Sequence, residues 1–121
     1  MSVCVVVAYA KDNVDKATVG LTLAQAAQQG GEAVSIIFAS EGARLVVKGY
    51  ADDMNNGEPF KPVKLLLDQL LQQGALLNVC TPCMKKRGIA ESDLITHANI
   101  RFIAGPDVIR ILKQTDRSIQ L

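Results

Sequence analysis

The segment Met1–Ala10, MSVCVVVAYA, decides the class of fold. It contains a nearly continuous run of β-branched residues between Val3 and Tyr9, a pattern typical of a strand that is buried on both faces of a parallel sheet. The segment lacks a basic leader and continues into Lys11 without a small-residue cleavage site. It is therefore predicted to be a strand rather than a signal peptide.

The hydrophobic period changes directly after this strand. Apolar residues recur at helical spacing, with polar cap candidates before them and two glycines after them: Val14, Ala17, Leu21 and Ala24; Asp12, Asn13 and Asp15; Gly30 and Gly31. This arrangement predicts a helix that ends near Gly30, followed at once by a second strand over Ala33–Ala39.

The rest of the chain continues the alternation of strands and helices. The predicted elements are a short helix from Ser40 to Gly49, a polar loop over 51–62, a helix from Val63 to Gly74, a strand that ends at Cys80, a strand over 100–104, a helix that begins near Pro106, and a short closing strand over 117–121. Such alternation predicts an α/β fold with a parallel sheet covered on both faces. A chain of 121 residues fits one domain, residues 1–121.

Composition narrows the range of partners. Thirteen Lys and Arg residues nearly balance twelve Asp and Glu residues, so no overall charge favours nucleic acid. No later apolar run approaches the roughly 20 residues that cross a bilayer, so no membrane partner is predicted. Three cysteines in a chain of this size favour free thiols in a reducing compartment, and we expect a cytoplasmic protein. Phosphate-binding glycine motifs are absent, and no cofactor is predicted.

The segment Asn78–Gly88, NVCTPCMKKRG, is the strongest candidate site. Ligands and reactive groups gather outside the carboxyl ends of parallel strands, where the loops 10–14, 40–43, 81–87 and 104–107 are predicted to lie. Cys80 and Cys83 would flank the first turn of a short helix. The amino end of that helix and the cations Lys85, Lys86 and Arg87 are expected to favour the thiolate of Cys80, with a pKa lowered from ~8.5 to about 3.5–7.5.

Three chemistries fit this cysteine pair. A zinc site needs four ligands, and Cys80 with Cys83 supplies two; His97 is distant and Cys4 lies in a strand, so a metal would require two subunits that pool their pairs. A dithiol–disulfide cycle suits the spacing, although thioredoxin-like domains place the pair near the start of the chain, ahead of a long helix. Persulfide transfer needs one exposed thiolate and nearby cations, with Cys83 as an optional second thiol.

A family resemblance extends over nearly the whole chain. The segment GALLNVCTPCMKKRGI at 74–89 resembles the DsrE/DsrF-like family, and the segments at 20–46 and 98–121 are similar to that family's first helix, second strand and closing elements. The resemblance implies a three-layer α/β/α domain with a mainly parallel five-stranded sheet, assembled into homotrimers or homohexamers. In sulfur-relay members the cysteine at the strand end carries a persulfide, and Cys80 matches it. Those members have an apolar residue at the position of Cys83.

The resemblance and the residues together give one hypothesis and one alternative. We expect a protein of intracellular sulfur trafficking that accepts persulfide sulfur on Cys80, assisted by Cys83, with Lys85, Lys86 and Arg87 as stabilisers of the anion. Its partners would be sulfur donor and acceptor proteins, and it would be a sulfurtransferase or a sulfur carrier. The alternative is a non-catalytic oligomer whose pair senses redox state or binds metal between subunits. Leu65, Leu66, Leu67, Leu70 and Leu71 exceed one core-facing stripe, which also favours an oligomer.

Overall fold

Strands and helices alternate throughout the computed structural model, which describes residues 1–121. The strands are β1 Ser2–Val7, β2 Ala33–Phe38, β3 Leu76–Cys80, β4 Ile100–Ile103 and β5 Arg117–Gln120. The α-helices are α1 Val14–Gln29, α2 Val63–Gln72, α3 Thr81–Lys86 and α4 Gly105–Gln114, and 3₁₀ turns cover Lys11–Asn13, Ser40–Val46 and Glu91–Asp93. Helix α1 begins where the sequence predicts, because the side chain of Asn13 accepts a hydrogen bond from the N–H of Lys16 at 3.0 Å.

The sheet has five strands in the order β4-β3-β2-β1-β5, and every neighbouring pair is parallel. From β1 to β4 the chain moves stepwise in one direction, and right-handed crossovers then place α1 and α2 on one face of the sheet. The return from β4 to β5 reverses that direction and places α4 on the opposite face. The three-layer α/β/α architecture expected from the sequence is confirmed, and the sheet is parallel throughout.

The two faces of the sheet are packed unequally. Twenty-five buried residues form one core between the sheet and the α1–α2 layer, whereas only Cys4, Ile37 and Ile103 are buried together beneath α4. Helix α4 has no fully buried residue. Beside it an open groove of about 340 Å³ is lined in part by Ser35, Asn78 and Arg101. None of the helices combines the length and hydrophobicity needed to traverse a bilayer.

Helix α2 corrects one argument made from the sequence. Leu66, Leu67, Leu70 and Leu71 are all buried within the chain, and only Leu65 is substantially exposed, at 42%. The long leucine run therefore faces the core of its own chain, because α2 packs against both the sheet and α1. It gives no independent support for an oligomer.

The segment after β2 is a short helical turn. The predicted short helix is present as a 3₁₀ turn over Ser40–Val46, which ends before Gly49 and lies against the carboxyl end of β1. Gly42 explains this position, since a Cβ atom placed on Gly42 would lie 2.1 Å from the carbonyl oxygen of Val7. Glycine thus allows the turn to approach the β1 backbone closely and brings Ser40 and Glu41 to the edge of the sheet where β3 ends.

Candidate active site

The two cysteines of the candidate site meet at the carboxyl end of β3. Cys80 is the last residue of the strand and caps α3, whose first turn contains Pro82 and Cys83. The two Sγ atoms lie 2.9 Å apart, and the Cys83 thiol donates toward Cys80. Both thiols are free and partly exposed. Because a disulfide brings its sulfur atoms to about 2.05 Å, a small movement would join this pair.

The 3₁₀ turn after β2 contacts this pair directly. The backbone N–H of Ser40 donates a hydrogen bond to the Sγ of Cys83 at 3.2 Å. Ser40 has φ = +50°, the only positive φ outside glycine in the chain. Left-handed backbone is unfavourable for a residue with a side chain, and such conformations gather at functional sites. The backbone N–H that contacts the Sγ of Cys83 thus belongs to the residue with this left-handed conformation.

Arg87 joins α3 to the same turn. Its Nε lies 2.6 Å from Oε1 of Glu41, and its Nη1 donates to the carbonyl oxygen of Cys83 at 3.1 Å. Arg44 binds the other oxygen of Glu41 at 2.8 Å. The Arg87 and Arg44 guanidinium groups hold the pKa of Glu41 below its usual range despite partial burial. Arg87 is therefore occupied by a carboxylate and a carbonyl oxygen in this structure.

The pKa of Cys80 moves against the direction expected from the sequence. Partial burial raises it above the ordinary thiol value, and the neighbouring Cys83 side chain raises it further. The backbone amide of Cys83 and the charge of Arg87 act in the opposite direction but do not overcome these effects. This direction is opposite to the lowering expected from the sequence, because partial burial disfavours the thiolate of Cys80 and a second thiol lies 2.9 Å away.

The structure brings together only part of the predicted set. Cys80, Cys83 and Arg87 converge, whereas Lys85 and Lys86 are exposed and form no salt bridge within the chain. The remaining candidates lie elsewhere. His97 is exposed, and its Nδ1 accepts a hydrogen bond from the Asn99 N–H at 3.0 Å.

Cys4 is fully buried, as its position in a strand predicts, and burial raises its pKa to about 11. No three side chains of His, Cys, Asp or Glu in the chain are grouped so that they could hold a metal ion. A metal held by the cysteine pair would need ligands from a second chain, because the pair supplies two of the four that zinc takes.

Two contacting residues were missed in the sequence. Ser40 was predicted only to begin a short helix, and Glu41 was given no role. In the structure the Ser40 N–H contacts Cys83, and the Glu41 carboxylate contacts Arg87. The sequence did contain a signal, because the loops 40–43 and 81–87 were both predicted to lie outside the carboxyl ends of the strands. What the sequence could not supply was the adjacency of β2 and β3, which makes the two loops neighbours.

These features define a small parallel α/β protein with a dithiol at the end of an inner strand. The fold resembles that of YchN from E. coli, with a TM-score of 0.71 over 100% of this chain and 99% of YchN, at 15% identity. It also resembles the protein MTH1491 from Methanobacterium thermoautotrophicum, with a TM-score of 0.70 over 99% and 97% of the two chains, at 11% identity. At such identities the likeness concerns the fold alone.

Sequence comparison gives the family. The model of the DsrE/DsrF-like family matches residues 1–121. The protein MK0008 from Methanopyrus kandleri is 30% identical over 117 residues, which cover 97% of this chain and 91% of that protein. The chain belongs to the DsrE/DsrF-like family, as its cysteine segment suggested.

Proposed function

We propose that the protein handles persulfide sulfur through Cys80 and Cys83 in the reducing environment of the cytoplasm. Cys80 accepts the sulfur, and Cys83 is the thiol that can resolve the resulting persulfide. Sulfur donor and acceptor proteins are the proposed partners. Membership of the DsrE/DsrF-like family supports sulfur chemistry on a cysteine, and the contact between Cys80 and Cys83 supports their roles as acceptor and resolving thiol.

One observation carries the proposal: the Sγ atoms of Cys80 and Cys83 lie 2.9 Å apart at the carboxyl end of β3. A persulfide formed on Cys80 would place its inner sulfur within reach of Cys83. Intramolecular groups that are already oriented react far faster than the same groups free in solution. Cys83 can therefore attack any persulfide that forms on Cys80 before an acceptor thiol arrives.

The chemistry has two steps. In the first, Cys80 attacks the outer sulfur of a donor persulfide R–S–SH; a Cys80 S–S bond forms, the donor S–S bond breaks, and R–SH leaves with the proton that Cys80 gives up. In the second, an acceptor thiol takes the outer sulfur, or Cys83 attacks the inner sulfur, closes a Cys80–Cys83 disulfide and releases H₂S. A dithiol reductant must then reduce that disulfide before another cycle.

The direct test is mass spectrometry after exposure to a low-molecular-weight persulfide donor. We expect the mass of one sulfur atom on the peptide that contains Cys80, or a Cys80–Cys83 disulfide together with released sulfide. Cys80→Ser should lose both products, and Cys4→Ala should keep them. Labelling that persists in Cys80→Ser would contradict the role of Cys80.

A second candidate is redox sensing by the same pair. The short sulfur–sulfur distance also favours direct disulfide formation by an oxidant, and this needs no sulfur donor. A Cys80–Cys83 disulfide that forms with oxidant, without uptake of sulfur from the persulfide donor or release of sulfide, would favour sensing over transfer.

We also propose that the chain forms a homotrimer or homohexamer. The resemblance to the family first suggested this assembly, and the thin cover on the α4 face leaves sheet surface for a second copy. Light scattering on the purified protein should give three or six times the 13.0 kDa mass of the chain. A monomer at micromolar concentration would contradict this proposal and leave the sulfur chemistry untouched.

A further inference from the structure

We infer that the groove beside α4 is a binding site for a small carboxylate that also carries a hydroxyl or amine hydrogen. The groove lies on the face of the sheet opposite the main core, between α4 and the strands β2, β3 and β4. Its volume of about 340 Å³ is within the range of small-ligand sites in proteins. The inference goes beyond the proposed sulfur chemistry and does not depend on it.

Asn78 is the buried polar side chain of the groove. It lies in the middle of the inner strand β3, between Leu77 and Val79, which both belong to the main core. Because successive side chains of a strand alternate between the two faces, Asn78 points to the α4 face, where it lines the groove and is only 3% exposed. An amide in the interior is costly unless its polar atoms are bonded, so its partners decide whether this position is a structural or a binding one.

Only half of this amide is bonded within the chain. Its Nδ2 donates to the carbonyl oxygen of Ile36 at 3.1 Å, which fixes the orientation of the side chain. Its Oδ1 accepts no hydrogen bond from the chain and is not sealed from the groove. Ser35 on the neighbouring strand β2 also lines the groove, and its half-buried hydroxyl has no partner in the chain. Both oxygens can therefore accept a hydrogen bond from a hydroxyl or an amine of a ligand.

Arg101 supplies the charge of the site. It lies opposite Asn78 in the register of β3 and β4 and lines the same groove, and its guanidinium has no salt bridge or hydrogen bond within the chain. The second arginine of the groove, Arg110, is paired with Asp107 at 2.8 Å, and the other oxygen of Asp107 accepts from the Ala104 N–H at 2.9 Å. Two arginines and one aspartate leave the lining side chains with one positive charge, which matches a monoanion.

Two neighbouring strands therefore present a free guanidinium and a free amide oxygen to one groove. A guanidinium binds a carboxylate through two parallel hydrogen bonds. Strands of a sheet lie about 4.8 Å apart, so a short ligand can contact both Arg101 and Asn78. α-Hydroxy and α-amino acids carry a carboxylate next to an O–H or N–H donor and have this length. A phosphate dianion has more charge than the groove balances and offers no donor to Asn78.

The first test is an NMR titration of the whole chain, in its solution assembly, with L-lactate, L-alanine and propionate. Propionate is the matched control, because it has the carbon skeleton and charge of lactate but no donor. We expect lactate, alanine or both to shift the amides of Asn78 and Arg101 with half-saturation below about 10 mM, and propionate to bind about tenfold more weakly. Lactate alone would assign a hydroxy acid, and alanine alone an amino acid. Equal binding of propionate would overturn the inference, and so would a groove that a second copy fills, in which none of the three causes a shift.

The second test uses substitutions and whichever of lactate and alanine binds. Arg101 is exposed, so Arg101→Gln should leave the fold intact and weaken binding by at least about tenfold. Lys113→Gln is the matched control, since it removes one positive charge from α4 outside the groove, and it should leave the affinity unchanged. Asn78→Leu removes the acceptor and should bind propionate as well as the other ligand. Unchanged affinity in Arg101→Gln, an equal loss in Lys113→Gln, or a retained preference in Asn78→Leu would overturn the inference.

Discussion

Gly42→Ala is expected to destabilise the protein by about 3 kcal/mol, the upper range for forcing extra volume into a packed site. The added methyl group would lie 2.1 Å from the Val7 carbonyl oxygen, and this backbone atom, which accepts a hydrogen bond from the Ala39 N–H at the end of β1, cannot move aside as a flexible side chain can. Relief would require the whole Ser40–Val46 turn to shift away from β1. Urea denaturation followed by circular dichroism measures the loss.

Gly105→Ala is the matched control for this substitution. Gly105 lies in the first turn of α4 with open space where a Cβ would be placed. The same chemical change there should alter the free energy of unfolding by no more than about 1 kcal/mol. If Gly42→Ala unfolds at the wild-type urea concentration, the close approach of the turn to β1 is not a structural requirement.

Cys83→Ser is expected to lower sulfide release from a persulfide donor by about 100-fold or more, while persulfide accumulates on Cys80. The substitution removes the only thiol in contact with Cys80, so the resolving step becomes a reaction with thiols from solution and loses the advantage of a preformed geometry. Sulfide can be measured with a fluorescent probe while mass spectrometry counts the persulfide. The release rate should stay unchanged in Cys4→Ala, since Cys4 lies in the separate cluster beneath α4.

Sulfide release at the wild-type rate from Cys83→Ser would show that Cys83 does not resolve the persulfide. Loss of labelling on Cys80 in the same variant would contradict the expected accumulation, because it would show that Cys80 does not accept sulfur without Cys83. The two measurements therefore separate the resolving step on Cys83 from the uptake of sulfur by Cys80.

The architecture could be predicted because each element has a strong local signal. The β-branched run of β1 and the Asn13 cap of α1 act within a few residues, and the structure has both where the sequence indicates. The Ser40 segment was harder, because its conformation depends on the Val7 backbone more than thirty residues away. The sequence alone assigned no role to Gly42.

The site was predicted in its position but not in its electrostatics. The spacing of Cys80 and Cys83 indicated that the sulfurs would be near each other at a strand end, and the fold places them there. Sequence could not show that Arg87 is bound by Glu41, since that carboxylate arrives from a different loop. Nor could a count of neighbouring cations show the partial burial and the adjacent Cys83 thiol that raise the pKa of Cys80.

Cys4 is a free thiol that the thin layer of side chains beneath α4 shields from solvent. Its cover is helix α4, which has no fully buried side chain, so few side chains separate this thiol from solvent on that face of the sheet. Once wetted, it would lose the burial that holds its proton and could react with the same oxidants as the pair. Alkylation of Cys4 in the folded protein would therefore report separation of α4 from the sheet.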